Sequence, residues 1–185
     1  MFDLNQFVSD CRAALQAMPA QLAVREVVAR AVSEPGAVLR GLGEPSRGGI
    51  QVLHQSKELT VLNVIWAPWM TLLPHNHMMW AVIGIYTGRE DNVFWRRIRG
   101  GHDGKVEAAA ARALCVGDAE PLGPDVIHSV TNPIPRLTGA LHVYGGDFFG
   151  VPRSEWDAET LLEQPTDGAR MAKRLEDANA LFLRS

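Results

Sequence analysis

The sequence predicts a mostly β domain with helices at both ends. Short runs of apolar, β-branched or aromatic residues fill the middle of the chain, separated by glycine, proline or polar clusters. Runs of this length and spacing are typical of an all-β sandwich or barrel. Towards both ends, apolar residues instead recur at three- and four-residue intervals, which indicates amphipathic helices.

The predicted N-terminal helical segment covers residues 1–36. A first helix is indicated by an apolar stripe: Leu4, Phe7, Val8, Cys11, Leu15 and Met18. Pro19 separates it from a second helix, which Pro35 and Gly36 are expected to end because proline and glycine interrupt a helical pattern.

The β core is predicted between about residues 50 and 147. Its strand segments are 50–56, 59–68, 80–87, 92–99, 105–116, 125–130 and 138–145. His75 and His77 lie at the apparent start of the strand that continues through 80–87.

Helical patterns return near the C-terminal end. Ser154 with Asp157 resembles a helix-capping pair, and a second apolar stripe follows: Met171, Leu175, Ala178 and Phe182. We therefore expect C-terminal helices over about 154–183. No repeat or long linker divides the chain, so one domain is expected over residues 1–185.

Composition limits the classes of partner. The chain has 185 residues, 46% of them apolar, and a formal net charge of -3. This charge favours a small-molecule partner over nucleic acid or a membrane surface. Because there is no long apolar run and no signal-peptide pattern, a cytoplasmic location is expected. Cys11 and Cys115 are interpreted as small buried hydrophobic residues, and the oligomeric state is left open.

Six histidines are candidates for chemistry: His54, His75, His77, His102, His128 and His142. On a strand, His75 and His77 would share one face, with about 6.5 to 7 Å between them along the strand. Imidazole is a common ligand for transition metals, although two satisfied or partly exposed histidines would produce the same pattern. His54 and His102 are assigned no role, and the residues around His102 are typical of a turn.

The context of the histidines favours a metal site. Gly88 follows His77 by 11 residues, Gly117 precedes His128 by 11, and Asn132 follows His128 by four. These two segments resemble the two motifs of the cupin superfamily. Over about residues 70–145 the resemblance implies a double-stranded β-helix, a small β-barrel or jelly roll.

The same resemblance implies a ligand set. It assigns metal binding to His75, His77 and His128, while the carboxylate ligand usual in the first motif would fall at Ala81 or Val82. Neither side chain can coordinate a metal. Three neutral imidazoles would leave a divalent ion its full charge and open positions, which favours an anionic, chelating substrate.

A narrower resemblance rests on the segments PHNHMMWAVIGIYTGRE and LHVYGGDFFGVPRSEW. Together with the His128 segment they resemble the thiol dioxygenases, and most of all the bacterial 3-mercaptopropionate type. These cupins hold Fe(II) with three histidines and use O2 to oxidise a small thiol to a sulfinate. The resemblance therefore implies Fe(II) as cofactor, with O2 and a small thiol-carboxylate as substrates.

The resemblance also implies roles near the metal. It assigns His142 and Tyr144 to catalysis and Arg153 to the substrate carboxylate. The residues alone leave other interpretations open: Tyr144 as a core residue with a satisfied hydroxyl, and Arg153 as a surface residue. The family serine two positions before the histidine is replaced by Ala140. Thr138, one step further along the same face, is the nearest hydroxyl in the sequence.

Two further functions stay open. One is a metal-dependent cupin dioxygenase that acts on a non-thiol carboxylate or a diketone, and the other is a non-catalytic sensor that binds a metal or ligand. Three imidazoles also suit zinc, nickel or copper, so the chain alone does not determine the metal.

Overall fold

The structure is a computed structural model that describes residues 2–100 and 104–183. The helices are α1 Leu4–Ala14, α2 Ala20–Val32, α3 Pro35–Leu42 and α4 Gly168–Phe182. The first six strands are β1 Gly49–Gln55, β2 Thr60–Trp66, β3 Thr71–Asn76, β4 Ala81–Thr87, β5 Arg89–Arg97 and β6 Val106–Cys115. The remaining strands are β7 Ala119–Leu122, β8 Ile127–Thr131, β9 Thr138–Tyr144, β10 Ser154–Trp156 and β11 Glu163–Pro165. His102 lies outside the described residues.

The strands form two antiparallel sheets. The first has the order β1-β2-β9-β4-β7 and the second the order β11-β10-β3-β8-β5-β6. Consecutive strands β2, β3, β4 and β5 alternate between the sheets, and apolar side chains from both meet in one interior cluster. The predicted fold, a mostly β cupin-type double-stranded β-helix with helices at both ends, is confirmed.

The two faces of the first sheet have different partners. Val82 and Val143 point outward and pack against Val24 and Val28 of α2. Residues of alternate parity on the same strands point into the barrel. The N-terminal helices therefore cover one side of the barrel and leave its interior free for a site.

Helix α4 packs against the same interior cluster as the site. Met171 and Leu175 contact that cluster. The buried Asn179 holds the helix to the strand region, because its Nδ2 donates to the Gly48 carbonyl at 2.9 Å and its Oδ1 accepts from the Gly48 amide at 2.6 Å.

The two motif glycines occupy turns that require their backbone freedom. Gly88 has φ +80° and Gly117 has φ +94°, in the left-handed region that disfavours other residues. Gly88 also lies directly against Thr138, where a Cβ would overlap the threonine side chain.

The N-terminal helical segment is longer than expected. Pro35 begins α3 and does not end the helical segment, which continues to Leu42. Proline is well tolerated in the first turn of a helix, where its missing N–H has no intrahelical partner.

The expected helix from residue 154 is wrong. Ser154 begins strand β10, which pairs with β11 and, through Glu155, with His75 of β3. Asp157 caps a turn, accepting from the amides of Glu159 and Thr160, and the C-terminal helix begins only at Gly168. Capping residues also form isolated turns, and pairing with β3 decides the outcome here.

Two other features bear on the sequence predictions. Cys11 is buried as expected, whereas Cys115, at the end of β6, is exposed. Among residues 2–100 and 104–183, no helix has the length and apolar character needed to cross a bilayer.

Candidate metal centre

Three imidazoles converge inside one end of the barrel. His75 lies on β3 and pairs across the ladder with His128 of β8, while His77 follows just after β3. The Nε2 atom of His77 lies 3.2 Å from that of His75 and 3.2 Å from that of His128. The three candidate ligand atoms all lie within 4.8 Å of one another.

This spacing fits a single metal ion. Ligand nitrogens about 2.1 Å from one ion, at angles between octahedral and tetrahedral values, lie about 3.0 to 3.4 Å apart. The two printed Nε2 separations of 3.2 Å fall inside that range.

The outward ring nitrogens determine which atoms face the centre. His75 Nδ1 lies 2.9 Å from the Leu73 carbonyl, which can only accept, so Nδ1 carries the hydrogen. His128 Nδ1 lies 2.7 Å from Asn92 Oδ1 and likewise donates. Both Nε2 atoms therefore direct lone pairs towards His77 Nε2, which can donate to only one of them. A cation would satisfy all three.

Burial keeps these imidazoles neutral. It is the largest cause that lowers the pKa of His75 to about 4, and it lowers the pKa values of His77 and His128 well below their ordinary value. Repulsion among the imidazoles acts in the same direction. Neutral imidazole is the form that coordinates a metal.

The expected placement of His77 on one strand with His75 is wrong. Strand β3 ends at Asn76, the β3–β8 pairing shifts register between Leu72 and His75, and Met78 has φ +56°. The chain bends at this point. This bend is consistent with the short 3.2 Å separation of the two Nε2 atoms.

The carboxylate position of the cupin motif is apolar and faces two ways. Ala81 packs in the interior cluster, opposite Tyr144 on β9, whereas Val82 packs towards the helices. Within the described part of the chain, the candidate ligand group contains three histidines and no acid.

His142 and Tyr144 lie beside the triad on β9. Tyr144 Oη is 3.0 Å from His142 Nδ1, and the Tyr144 ring makes an edge contact with His77 at 5.0 Å between centroids. Burial raises the pKa of Tyr144, so the phenol keeps its proton at neutral pH. Ala140 has no hydroxyl, and the Thr138 hydroxyl donates instead to Arg89 and Asn132.

Arg153 lies between β9 and β10 and lines the same cavity. Its guanidinium stacks 3.7 Å from the centroid of the Phe148 ring, and its buried Nε has no hydrogen-bond partner. It forms no ion pair with any carboxylate of the described residues. Burial lowers its pKa, and a part-buried guanidinium without an acid is a ready site for an anion.

The cavity over the centre has a volume of about 800 Å³. Its polar end holds the three histidines, Tyr144 and Arg153. The rest of the wall is largely apolar, from β2 and α4: Leu62, Val64, Met171 and Leu175.

Two polar residues of the site were missed by the sequence analysis. Glu90 and Asn92 on β5 are almost fully buried, and Asn92 bonds His128. Because Gly88, Arg89 and Asp91 surround Glu90, the segment resembles a solvated turn. The period-two alternation of Glu90 and Asn92 was the available signal that both face inward.

Comparisons with known proteins agree with a β-helix fold. No protein-family model matches the chain. The chain is similar to an RmlC-like cupin family protein with a double-stranded β-helix fold from Methanocaldococcus jannaschii. The identity is 8% and the TM-score 0.48, over 58% of this chain and 88% of that one.

Two other solved structures are similar to part of the chain. One is an uncharacterized conserved protein with a double-stranded β-helix domain from Klebsiella pneumoniae (16% identity, TM-score 0.43, 56% of this chain and 78% of that one). The other is a mutant of Bacillus subtilis oxalate decarboxylase (14% identity, TM-score 0.43), of which the match spans 56% of this chain but only 27% of the decarboxylase. At these values the likenesses carry nothing about ligand or reaction.

Proposed function

We propose that the protein is a non-haem Fe(II)-dependent thiol dioxygenase that uses O2 to oxidise a small thiol-carboxylate to a sulfinate. Its substrate would be of the 3-mercaptopropionate or cysteine type. The observation that carries the proposal is that an unpaired Arg153 guanidinium shares one cavity with three neutral imidazoles that converge on a point.

The proposed roles follow from the chemistry of the side chains. His75, His77 and His128 would hold the iron without adding negative charge, which leaves the ion free to attract a thiolate. Iron, when bound, would supply open coordination positions and the electrons that reduce O2. Both oxygen atoms end on the sulfur, so the overall change from thiol and O2 to sulfinic acid needs no further reductant.

Arg153 would bind the carboxylate of the substrate. Its planar guanidinium can donate two parallel hydrogen bonds to a carboxylate, which lysine cannot copy. The Phe148 ring beneath it holds the plane of the guanidinium. A substrate fixed at its carboxylate would direct its thiol towards the three histidines.

Tyr144 would donate a hydrogen bond to the reacting groups. Its phenol keeps its proton, since burial raises its pKa, and its ring packs against His77. His142 would orient the phenol through the 3.0 Å contact between Nδ1 and the hydroxyl.

Oxygen uptake by the iron-loaded protein tests the proposal. We expect uptake with 3-mercaptopropionate or cysteine, much less with cysteamine, which lacks a carboxylate, and none with 3-hydroxypropionate, which lacks the thiol. Mass spectrometry with isotopically labelled O2 should find both atoms in the product. A protein that is inert towards all the thiols would refute the assignment.

The size of the cavity favours a second candidate, a metal-dependent dioxygenase of a larger carboxylate or diketone. A volume of about 800 Å³ lies within the range of about 300 to 1,000 Å³ usual for drug-sized ligands. Uptake with pentane-2,4-dione or with a thiol-free chelating acid, but not with thiols, would transfer the assignment to this candidate.

A further inference from the structure

Glu90 is a fully buried carboxylate that the proposed reaction does not use. It is 0% exposed on β5 inside the barrel, and no lysine or arginine of the described residues pairs with it. An ionised carboxylate in such a place is costly unless hydrogen bonds and charge compensate it. Its neighbours therefore indicate why it is there.

Two donors hold the carboxylate in one orientation. Trp66 Nε1 donates to Oε2 at 2.7 Å, and Asn92 Nδ2 donates to Oε1 at 3.0 Å. An indole N–H and an amide NH2 can only donate, so both carboxylate oxygens accept. Burial alone would raise the pKa of Glu90, but His142 and these hydrogen bonds outweigh it, and the pKa lies below its ordinary value.

The free face of the carboxylate points at His142. His142 Nε2 is 3.8 Å from Glu90 Oε2, and it is a buried atom without a hydrogen-bond partner. The other ring nitrogen contacts the Tyr144 hydroxyl at 3.0 Å. The imidazole thus lies between the carboxylate and the phenol.

The second oxygen of Glu90 acts on the metal side. By accepting from Asn92 Nδ2, it turns Asn92 Oδ1 towards His128 Nδ1, 2.7 Å away. That contact places the hydrogen of His128 on Nδ1 and leaves Nε2 free for a metal.

We infer that Glu90 is a positioning residue that sets the protonated nitrogen of two histidines at once. Through Oε2 it holds a proton on His142 Nε2, and through Asn92 it holds the proton of His128 on Nδ1. Its carboxylate supplies the partner for His142 that neither Ala140 nor Thr138 provides. The inference concerns the geometry of these side chains and stands whether or not the proposed thiol reaction is correct.

The test is nitrogen NMR of the metal-free protein labelled with ¹⁵N-histidine, with His142 assigned by the loss of its signals in H142Q. In the wild-type protein we expect the His142 Nε2 signal to be that of a protonated ring nitrogen. An unprotonated Nε2 would overturn the inference without any Glu90 variant. This readout does not depend on activity, so it separates this inference from the proposed function.

The Glu90→Gln variant gives the second arm. A glutamine amide at this position offers a donor to His142 Nε2, so we expect the proton to leave Nε2. We also expect Fe(II) affinity to fall about tenfold, the low end of the effect usual for residues that orient metal ligands. Glu90→Asp, which keeps the carboxylate, should partly restore both properties.

Asp91→Asn is the matched control, because Asp91 is the next residue on the same strand and pairs with Arg89 on the outside. It should change neither the His142 signal nor the metal affinity. A Glu90→Gln protein with the wild-type His142 signal would overturn the inference. A changed signal with unchanged affinity would overturn the part that concerns His128.

Discussion

Asn92 Oδ1 lies 2.7 Å from His128 Nδ1, and the amide nitrogen of the same side chain lies 3.0 Å from Glu90. The asparagine therefore has one possible orientation, and it fixes the orientation of the imidazole. The rigidity of the metal centre depends on this contact as much as on the three histidines.

Asn92→Leu is expected to weaken Fe(II) binding about 10- to 100-fold, because His128 loses the acceptor that orients it. Anaerobic calorimetric titration measures the affinity. Asn63→Leu is the matched control: Asn63 is a buried asparagine on β2 that accepts from Tyr86, not from a histidine of the centre. It should lower stability without changing the affinity. Equal affinities for the Asn92 variant and the wild type would contradict the prediction.

The metal-free protein is expected to lose stability as the pH falls from about 6.5, the usual histidine pKa, towards about 4, the pKa of folded His75. In this window the unfolded chain binds protons that the folded triad does not, since burial lowers the folded pKa values. The free energy of unfolding therefore rises with pH and levels off above the window.

Urea unfolding at a series of pH values measures this effect. His77→Gln should reduce the slope, because it removes one of the groups that take up a proton on unfolding. A free energy of unfolding that stays constant across the window would show that the histidines are not buried as described.

Arg153→Lys is expected to raise KM for 3-mercaptopropionate roughly 30-fold, the equivalent of about 2 kcal/mol for a lost charged hydrogen bond. The lysine keeps the charge but loses the planar pair of donors. Steady-state oxygen uptake gives KM, and Arg112→Met, a surface arginine paired with Glu120, serves as the control. If Arg153 instead has only a packing role against Phe148, KM will stay unchanged while stability falls.

Thiol labelling is expected to find one reactive cysteine in the native protein. Cys115 is exposed, whereas Cys11 is 0% exposed and burial raises its pKa to about 12. Only a thiolate reacts rapidly. Cys115→Ser should remove the fast reaction, and denaturant should release the second thiol. Rapid labelling of two thiols in the folded wild type would disagree with the burial of Cys11.

The sequence by itself determined the barrel and the candidate ligands. Alternating apolar runs produce inward and outward faces on any strand, so the β core could be predicted from local pattern alone. The spacing of His75, His77 and His128 from the motif glycines was enough to predict that they come together. The absence of a ligand at Ala81 was also readable directly.

Only the tertiary structure decided the surroundings of those histidines. Ser154 forms a strand because β3 offers it a partner, and His77 reaches His75 through a bend that follows a register shift. Glu90 and Asn92 look like part of a solvated turn in the sequence, yet they are buried between two sheets. Their partners, Trp66 and His128, lie 24 and 36 residues away. Contacts between such distant residues depend on strand order and register, which local sequence patterns do not specify.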